Sequence, residues 1–133
     1  MNKKQVNDWI LPAQKAIVEC GIAENGKIDS AFRGQISSFG AAVVMGSLKS
    51  AVAFFADDGS AQVKRSKLIT AMYFVISGGE KKNPKYVFDY ICKHDNRHTK
   101  EQFINASIAI KLAMNFFDMG KGDNNTGKKN GED

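Results

Sequence analysis

The residues best suited to chemistry lie between positions 61 and 100, where the positive charge of the chain is concentrated. This stretch carries nine basic and three acidic side chains, whereas the whole chain of 133 residues has a formal net charge of +5. Three tyrosines, Tyr73, Tyr86 and Tyr90, are interleaved with the cations. Clustered cations attract a phosphate backbone through counterion release, and aromatic rings stack on unpaired bases. The pattern fits nucleic-acid contact and the more ordinary alternative, a solvated polar face, equally well.

Seven residues of this stretch form the predicted nucleic-acid-binding face. Six are cations in the fourth and fifth predicted helices and their flanks, and one is a tyrosine that could stack on a base. These residues are Lys64, Arg65, Lys67, Lys81, Lys82, Lys85 and Tyr86. Because the choice rests on charge, it predicts a surface that faces RNA phosphates rather than individual contacts.

A second cluster, Cys92, His94, Asp95 and His98, holds four potential metal ligands. A single helix through both histidines would place them on one face. Thr99, with Gln102 three residues later, fits a capping box, which would begin a new helix after His98 and separate the two rings. We therefore predict no metal and no cofactor, and interpret the histidines as residues at the end of a helix, where a protonated ring is favourable.

Enzyme motifs are weak in this sequence. Residues 122–128 spell G-x-x-x-x-G-K, the skeleton of a phosphate-binding loop, but Lys129 stands where Ser or Thr should hold magnesium. The strand and helix that such a loop needs on either side are not expected. The sequence has no G-x-S-x-G elbow and no activated cysteine context. We predict that the chain is not an enzyme.

The most apolar segment, residues 40–56, reads GAAVVMGSLKSAVAFFA. It is shorter than the roughly 20 residues that a spanning helix needs, and Lys49 would be costly in lipid. The N-terminal residues do not resemble a signal peptide, and two cysteines far apart usually stay reduced. We expect a cytoplasmic protein without membrane contact, in which Cys20 and Cys92 are small core side chains.

The apolar segment also has the periodicity of a helix, with large side chains three and four residues apart. Small residues follow the opposite side, a pattern typical of a helix buried between partners. We predict one central helix over residues 40–56, preceded by a break at Gly40. Its predicted inner face consists of Ala41, Val44, Met45, Leu48, Val52 and Phe55.

The same spacing predicts five further helices and no strand, so the expected fold is an all-α single compact bundle of about six helices. Pro12 marks a kink in the first helix or the start of a later one, and Asp29 or Ser30 can cap the second. The fourth helix is expected over residues 61–76, the fifth from Pro84, and the sixth from Thr99 to about Met119. Residues 1–119 form the predicted helical domain, and 120–133, which have no apolar side chain, a disordered polar tail.

This order of features resembles the small helical subunit of the Cmr effector complex, the type III-B CRISPR system, over about residues 5–119. Gly40 stands where that family has Pro, and residues 45–48 stand where it has Asn-Gly-Leu. Residues 115–118 depart from the basic end of the family's last helix. The residues that carry the resemblance are Phe32, Arg33, Gly40, Val43, Val44, Met45, Gly46, Ser47, Leu48, Val52, Phe55, Glu101, Ala106, Ala109 and Leu112.

The resemblance implies a non-catalytic structural subunit that serves antiviral defence. Such subunits stack along the backbone subunits and help to line the channel that holds guide RNA and target RNA. The implied partners are the other Cmr effector subunits, especially the backbone subunit, together with neighbouring copies of the chain and both RNAs. Two alternatives remain open: a free-standing small basic helical nucleic-acid-binding protein, and a protein-binding adaptor whose basic face meets an acidic partner.

Overall fold

Six α-helices make up most of the chain in a computed structural model, which describes residues 1–61 and 63–120. This confirms the prediction of an all-α bundle. The predicted tail from residue 121 onward, with the G-x-x-x-x-G-K motif, lies outside the described residues. The helices are α1 (Lys3–Glu19), α2 (Ala31–Met45), α3 (Leu48–Ala56), α4 (Ser66–Ser77), α5 (Pro84–Lys93) and α6 (Arg97–Ala113).

The centre of the bundle is α6, which packs against α1, α2 and α4. Its inward face alternates large and small residues, because Phe103 and Ile110 fill the core while Ala106, Ala109 and Ala113 let neighbouring helices approach closely. All five side chains are fully buried. The prediction that residues 40–56 form the central helix is therefore wrong.

Residues 40–56 are divided between two helices, and the break lies at Gly46 rather than at the predicted Gly40. The Ser47 hydroxyl accepts the Ser50 N–H, and the Ser50 hydroxyl accepts the Ser47 N–H, each at 3.0 Å. This reciprocal capping box offers the backbone an alternative to continuing the helix. At Gly46 a Cβ would lie 2.9 Å from the Ser50 Oγ and 3.2 Å from the Ala42 carbonyl oxygen, so the junction favours glycine.

The break divides the predicted inner face of this segment. Leu48, Val52 and Phe55 of α3 are buried, and the Phe55 ring meets Phe39 of α2 edge to face at 5.4 Å between centroids. Val44 and Met45, at the end of α2, are instead 73% and 88% exposed. The two helices thus meet at a corner whose outer side is apolar.

Three short strands, which the sequence did not predict, join the connection between α1 and α2 to the last described residues. They are β1 (Ala23–Glu24), β2 (Lys27–Asp29) and β3 (Asp118–Gly120), in the order β1-β2-β3. Asn25 and Gly26 both have positive φ, as a tight hairpin between β1 and β2 requires, and β3 pairs with β2 in parallel. Runs of two or three residues are too short for an alternating pattern to reveal them.

The end of the described chain also differs from the prediction. Helix α6 stops at Ala113 instead of near Met119, and a 3-10 turn, Met114–Phe116, leads into β3. The Gly120 carbonyl accepts the Ser30 N–H at 3.2 Å, so Gly120 belongs to the sheet rather than to the predicted tail.

Helix starts follow side-chain caps, some predicted and others not. Pro84 begins α5 as predicted, after Asn83. The cap of α6 is Asn96, whose side chain accepts the Thr99 N–H at 2.9 Å, so the predicted cap at Thr99 is wrong and His98 lies in the first turn of α6. Helix α4 starts at Ser66, not near residue 61.

The structure decides between the alternatives at Pro12 and at the start of α2. Helix α1 runs through Pro12 without ending. Of the two candidate caps for α2, the Asp29 carboxylate accepts the Ala31 N–H at 2.9 Å, whereas the Ser30 side chain makes no capping bond. Across residues 1–61 and 63–120, each helix is too short or too polar to cross a membrane.

We expect Ser47→Ala to destabilise the protein by about 1 kcal/mol, the usual cost of losing an N-cap. Ser37→Ala is a matched control, because Ser37 is also exposed and bonds only to the Arg33 carbonyl within α2. It should stay within about 0.5 kcal/mol of the parent protein. Urea unfolding measures both, and equal losses would show that the capping box does not stabilise the corner.

Candidate nucleic-acid interface

Three of the predicted cations meet in a cleft between the starts of α4 and α5. Helix α4 ends at Ser77 and is capped by Gly78, which has a left-handed φ of 82°; the chain then reverses before Asn83 caps α5 and Pro84 begins it. This connection carries two of the lysines back beside the first turn of α4. The cleft, called here the basic cleft, has a volume of about 380 Å³ and is lined by Cys20, Ser66, Lys67, Thr70, Lys81, Lys82, Asn83 and Pro84.

Lys67 is the fixed cation of the basic cleft. Its Nζ donates to the Gly21 carbonyl at 3.0 Å, and the side chain is half-buried. Gly21 has a φ of +76°, and a Cβ there would lie 3.4 Å from the Lys67 Nζ. The loop after α1 thus holds the Lys67 ammonium in place. Lys67 also lines a neighbouring cleft of about 300 Å³ together with Lys64 and Lys27.

Lys85 extends the positive surface on the opposite side. It lines a third cleft, of about 590 Å³, which shares Ser66, Asn83 and Pro84 with the basic cleft. The Lys85 Nζ lies 3.0 Å from an Asp89 carboxylate oxygen, so part of its charge is balanced. The three clefts form one continuous surface, called here the basic strip, that contains Lys64, Lys67, Lys81, Lys82 and Lys85.

Arg65, the sixth predicted cation, is engaged with α3. Its guanidinium lies 4.2 Å from the centroid of the Phe54 ring, and its Nε donates to the Asp57 carbonyl at 3.0 Å. A cation over an aromatic face stabilises the pair, so Arg65 helps to join α3 to α4. Asp58 has a related role, because its carboxylate accepts the backbone N–H and the hydroxyl of Ser66.

Tyr86 lies beside the basic strip and is 45% exposed. The Lys82 Nζ is 5.0 Å from its ring centroid, and the Tyr73 ring meets it edge to face at 5.7 Å. Tyr73 itself is buried in α4. Burial raises the pKa of Tyr73 to about 12, and the neighbouring Tyr86 adds to the shift, so the Tyr73 hydroxyl keeps its proton at neutral pH.

Some residues of the basic strip were not predicted from the sequence. Ser66 and Thr70 supply hydroxyl groups to the wall of the basic cleft, and Asn83 supplies an amide. Ser66 and Thr70 are four residues apart and therefore share one face of α4, next to Lys67. This spacing is visible in the sequence and could have predicted their place in the cleft. The Ser66 hydroxyl donates to Asp58 and the Asn83 side-chain oxygen accepts the Tyr86 N–H, so the lysine ammonium groups are the donors of this cleft that best suit phosphate oxygens.

The two cysteines have different surroundings. Cys20 is buried as predicted, whereas Cys92 is exposed, so its predicted place in the core is wrong. Burial raises the pKa of the Cys20 thiol to about 11, although the nearby Lys81 ammonium acts in the opposite direction. Cys20 therefore stays in the thiol form at neutral pH, and this form is a poor nucleophile.

The four potential metal ligands near the end of α5 have separate surroundings, and Cys92 is exposed and free. His94 caps the end of α5, and its Nδ1 lies 2.9 Å from the Tyr90 carbonyl oxygen. Asp95 pairs with Lys49 at 3.3 Å, while His98 belongs to α6. In the part of the chain that the structure describes, no three His, Cys, Asp or Glu side chains lie close enough to hold a metal ion.

Comparison with known proteins adds no relative to this description. No family model, curated protein or solved structure matches the chain. The function is therefore inferred from the residues of the basic strip and from the sequence resemblance given above.

We expect the two thiols to react with Ellman's reagent at very different rates at pH 8. Cys92 should react at once, and Cys20 at least about a hundredfold more slowly because it is buried and protonated. Cys92→Ser should remove the fast phase, and Cys20→Ser the slow one. Similar rates for both thiols in the folded protein would contradict the buried position of Cys20.

Proposed function

We propose that this chain is the small non-catalytic structural subunit of a type III-B CRISPR effector complex, the Cmr complex, and that its basic strip contacts phosphates of the guide or target RNA. The observation that carries the proposal is the arrangement of five lysines around three adjoining clefts. The sequence resemblance supplies the identity of the complex, and the basic strip supplies the surface for RNA.

The acidic residues around the basic strip leave it with an excess of positive charge. Asp58 caps α4 through Ser66, Asp89 balances Lys85, and Glu24 and Asp29 line the cleft that contains Lys27, Lys64 and Lys67. Lys64 and Lys81 are exposed, and Lys82 is half-buried. Phosphates that approach these ammonium groups would release condensed counterions, which favours a polyanion over a single small anion.

Two features support a structural role in an assembly. The thiol nearest the basic strip, Cys20, is protonated at neutral pH and so is suited to packing rather than to nucleophilic attack. The α2–α3 corner carries exposed apolar side chains at Val44 and Met45. Exposed apolar patches of this kind are typical of surfaces that meet other proteins.

A tagged copy of the protein, purified gently from its native cells, should carry larger CRISPR effector subunits and repeat-derived guide RNA. Mass spectrometry and small-RNA sequencing would identify them. Recovery of RNA alone would favour the free-standing nucleic-acid-binding protein instead. Recovery of one unrelated acidic protein would favour the adaptor, and either result would contradict membership of the effector complex.

The contribution of the basic strip is tested with Lys64→Gln, Lys81→Gln and Lys82→Gln combined in one variant. Arg65 and Lys67 are left intact because they hold neighbouring parts of the fold together. The variant should bind single-stranded RNA more weakly. The slope of log K against log salt should become shallower by roughly 2, since each lost phosphate contact removes about 0.7.

The matched control combines Lys3→Gln, Lys15→Gln and Lys111→Gln, three exposed lysines outside the basic strip. It changes the net charge by the same amount. Anisotropy titrations at several salt concentrations should show that this control keeps most of the affinity and the slope. Equal losses in both variants would mean that overall charge, and not the basic strip, determines RNA binding.

A further inference from the structure

An aromatic series continues from the basic strip along one side of α5. Tyr86 and Tyr90 lie four residues apart in α5 and share one face of it; Lys82 precedes Tyr86 by four residues in the loop before α5, and His94 follows Tyr90 by four residues as the C-cap. The Tyr90 and His94 rings are stacked, with 4.4 Å between centroids and 28° between planes. Tyr86, Tyr90 and His94 are called here the aromatic stripe.

The rings of the aromatic stripe are held in place before any ligand arrives. Tyr73 lies behind them and meets Tyr86 and Tyr90 edge to face, at 5.7 and 5.2 Å between centroids. The His94 ring is oriented by the contact of its Nδ1 with the Tyr90 carbonyl oxygen. Fixed rings lose little conformational entropy when they bind, so a flat ligand would gain most of the stacking energy.

Both ends of the aromatic stripe are open to solvent. Tyr86 and His94 are exposed, while Tyr90 between them is half-buried. Stacking on Tyr90 occupies one face of the His94 ring and leaves the other face available. The two exposed rings are about 12 Å apart along the helix axis, so each could meet a different base of one strand.

Lys82 joins the aromatic stripe to the basic strip. It lines the basic cleft, and its Nζ also lies 5.0 Å from the centroid of the Tyr86 ring. A nucleotide with its phosphate in the basic cleft would therefore have its base within reach of Tyr86. Phosphate-binding cations beside aromatic rings are the common arrangement of surfaces that bind single strands.

We propose that the aromatic stripe stacks on unpaired bases, which makes single-stranded RNA the preferred ligand of this surface over duplex RNA. The proposal rests on the proposed function, because it assumes that the basic strip holds RNA phosphates. Bases inside a duplex are stacked on their neighbours and cannot cover a protein ring, whereas unpaired bases can be splayed onto Tyr or His.

The test compares an unstructured RNA strand with an RNA duplex of the same length, using the double variant Tyr86→Leu, His94→Ala. We expect the double variant to lose about tenfold in affinity for the single strand and to change little for the duplex. A 2-aminopurine base in the single strand should change its fluorescence on binding the parent protein. This change should be reduced with the double variant.

Three further variants separate stacking from other effects. Tyr86→Phe keeps the ring and should bind the single strand like the parent protein, and His94→Ala alone should show part of the loss. Phe116→Ala removes an exposed aromatic ring outside the aromatic stripe and should have no effect. Thermal unfolding of every variant establishes that the fold is intact.

The possible failures of the two proposals are distinguishable. If the double variant binds both RNAs as the parent does, or weakens both equally, the aromatic stripe is not a stacking surface. The basic strip would still stand if the triple lysine variant loses affinity. If the parent protein binds neither RNA, the RNA contact fails and the stacking proposal is overturned with it.

Discussion

The packing of α1 against α6 is the interaction on which the rest of the structure depends. Ala106, Ala109 and Ala113 have no exposed surface, and their small side chains allow a close approach of the neighbouring helices. Asn105, also fully buried, donates its amide to the Gln5 side chain at 2.7 Å and accepts the Asn2 N–H at 3.3 Å. These bonds satisfy a polar group that would be costly to bury alone, and they fix the start of α1 against α6.

This packing determines where the cations can lie. Helix α4 is buried from Leu68 to Val75, so its polar side chains reach the surface at its two ends, and the first turn carries Lys67. The loop after α1 places the Gly21 carbonyl next to the Lys67 ammonium, and the connection after α4 brings Lys81 and Lys82 to the same cleft. Helix α5 packs on α3 and α4, and the aromatic stripe lies along the side of α5 that meets Tyr73 of α4. The cations of the proposed RNA surface therefore lie at the ends of helices and in the connections next to them.

Periodicity predicted the helices, but local hydrogen bonds decided their boundaries. Residues 40–56 have a helical apolar pattern, and the Ser47–Ser50 capping box nevertheless divides them, because capping satisfies backbone groups that periodicity does not represent. Charge density likewise indicated the cations of the candidate interface. It could not distinguish Arg65 from its neighbours, since the role of Arg65 depends on the position of Phe54 across a turn. The His94 ring was missed because its stacking on Tyr90 appears only once α5 is built.

The basic cleft has an energetic consequence for the free protein. Lys67, Lys81 and Lys82 line one small cleft, where like charges repel one another and water and salt screen that repulsion. The Gly21 carbonyl offsets part of this cost for Lys67. A phosphate between the three groups would replace repulsion with charge-assisted hydrogen bonds. Anions that bind only the folded state would then stabilise the junction of α1, α4 and α5, which couples the stability of this region to occupancy of the cleft.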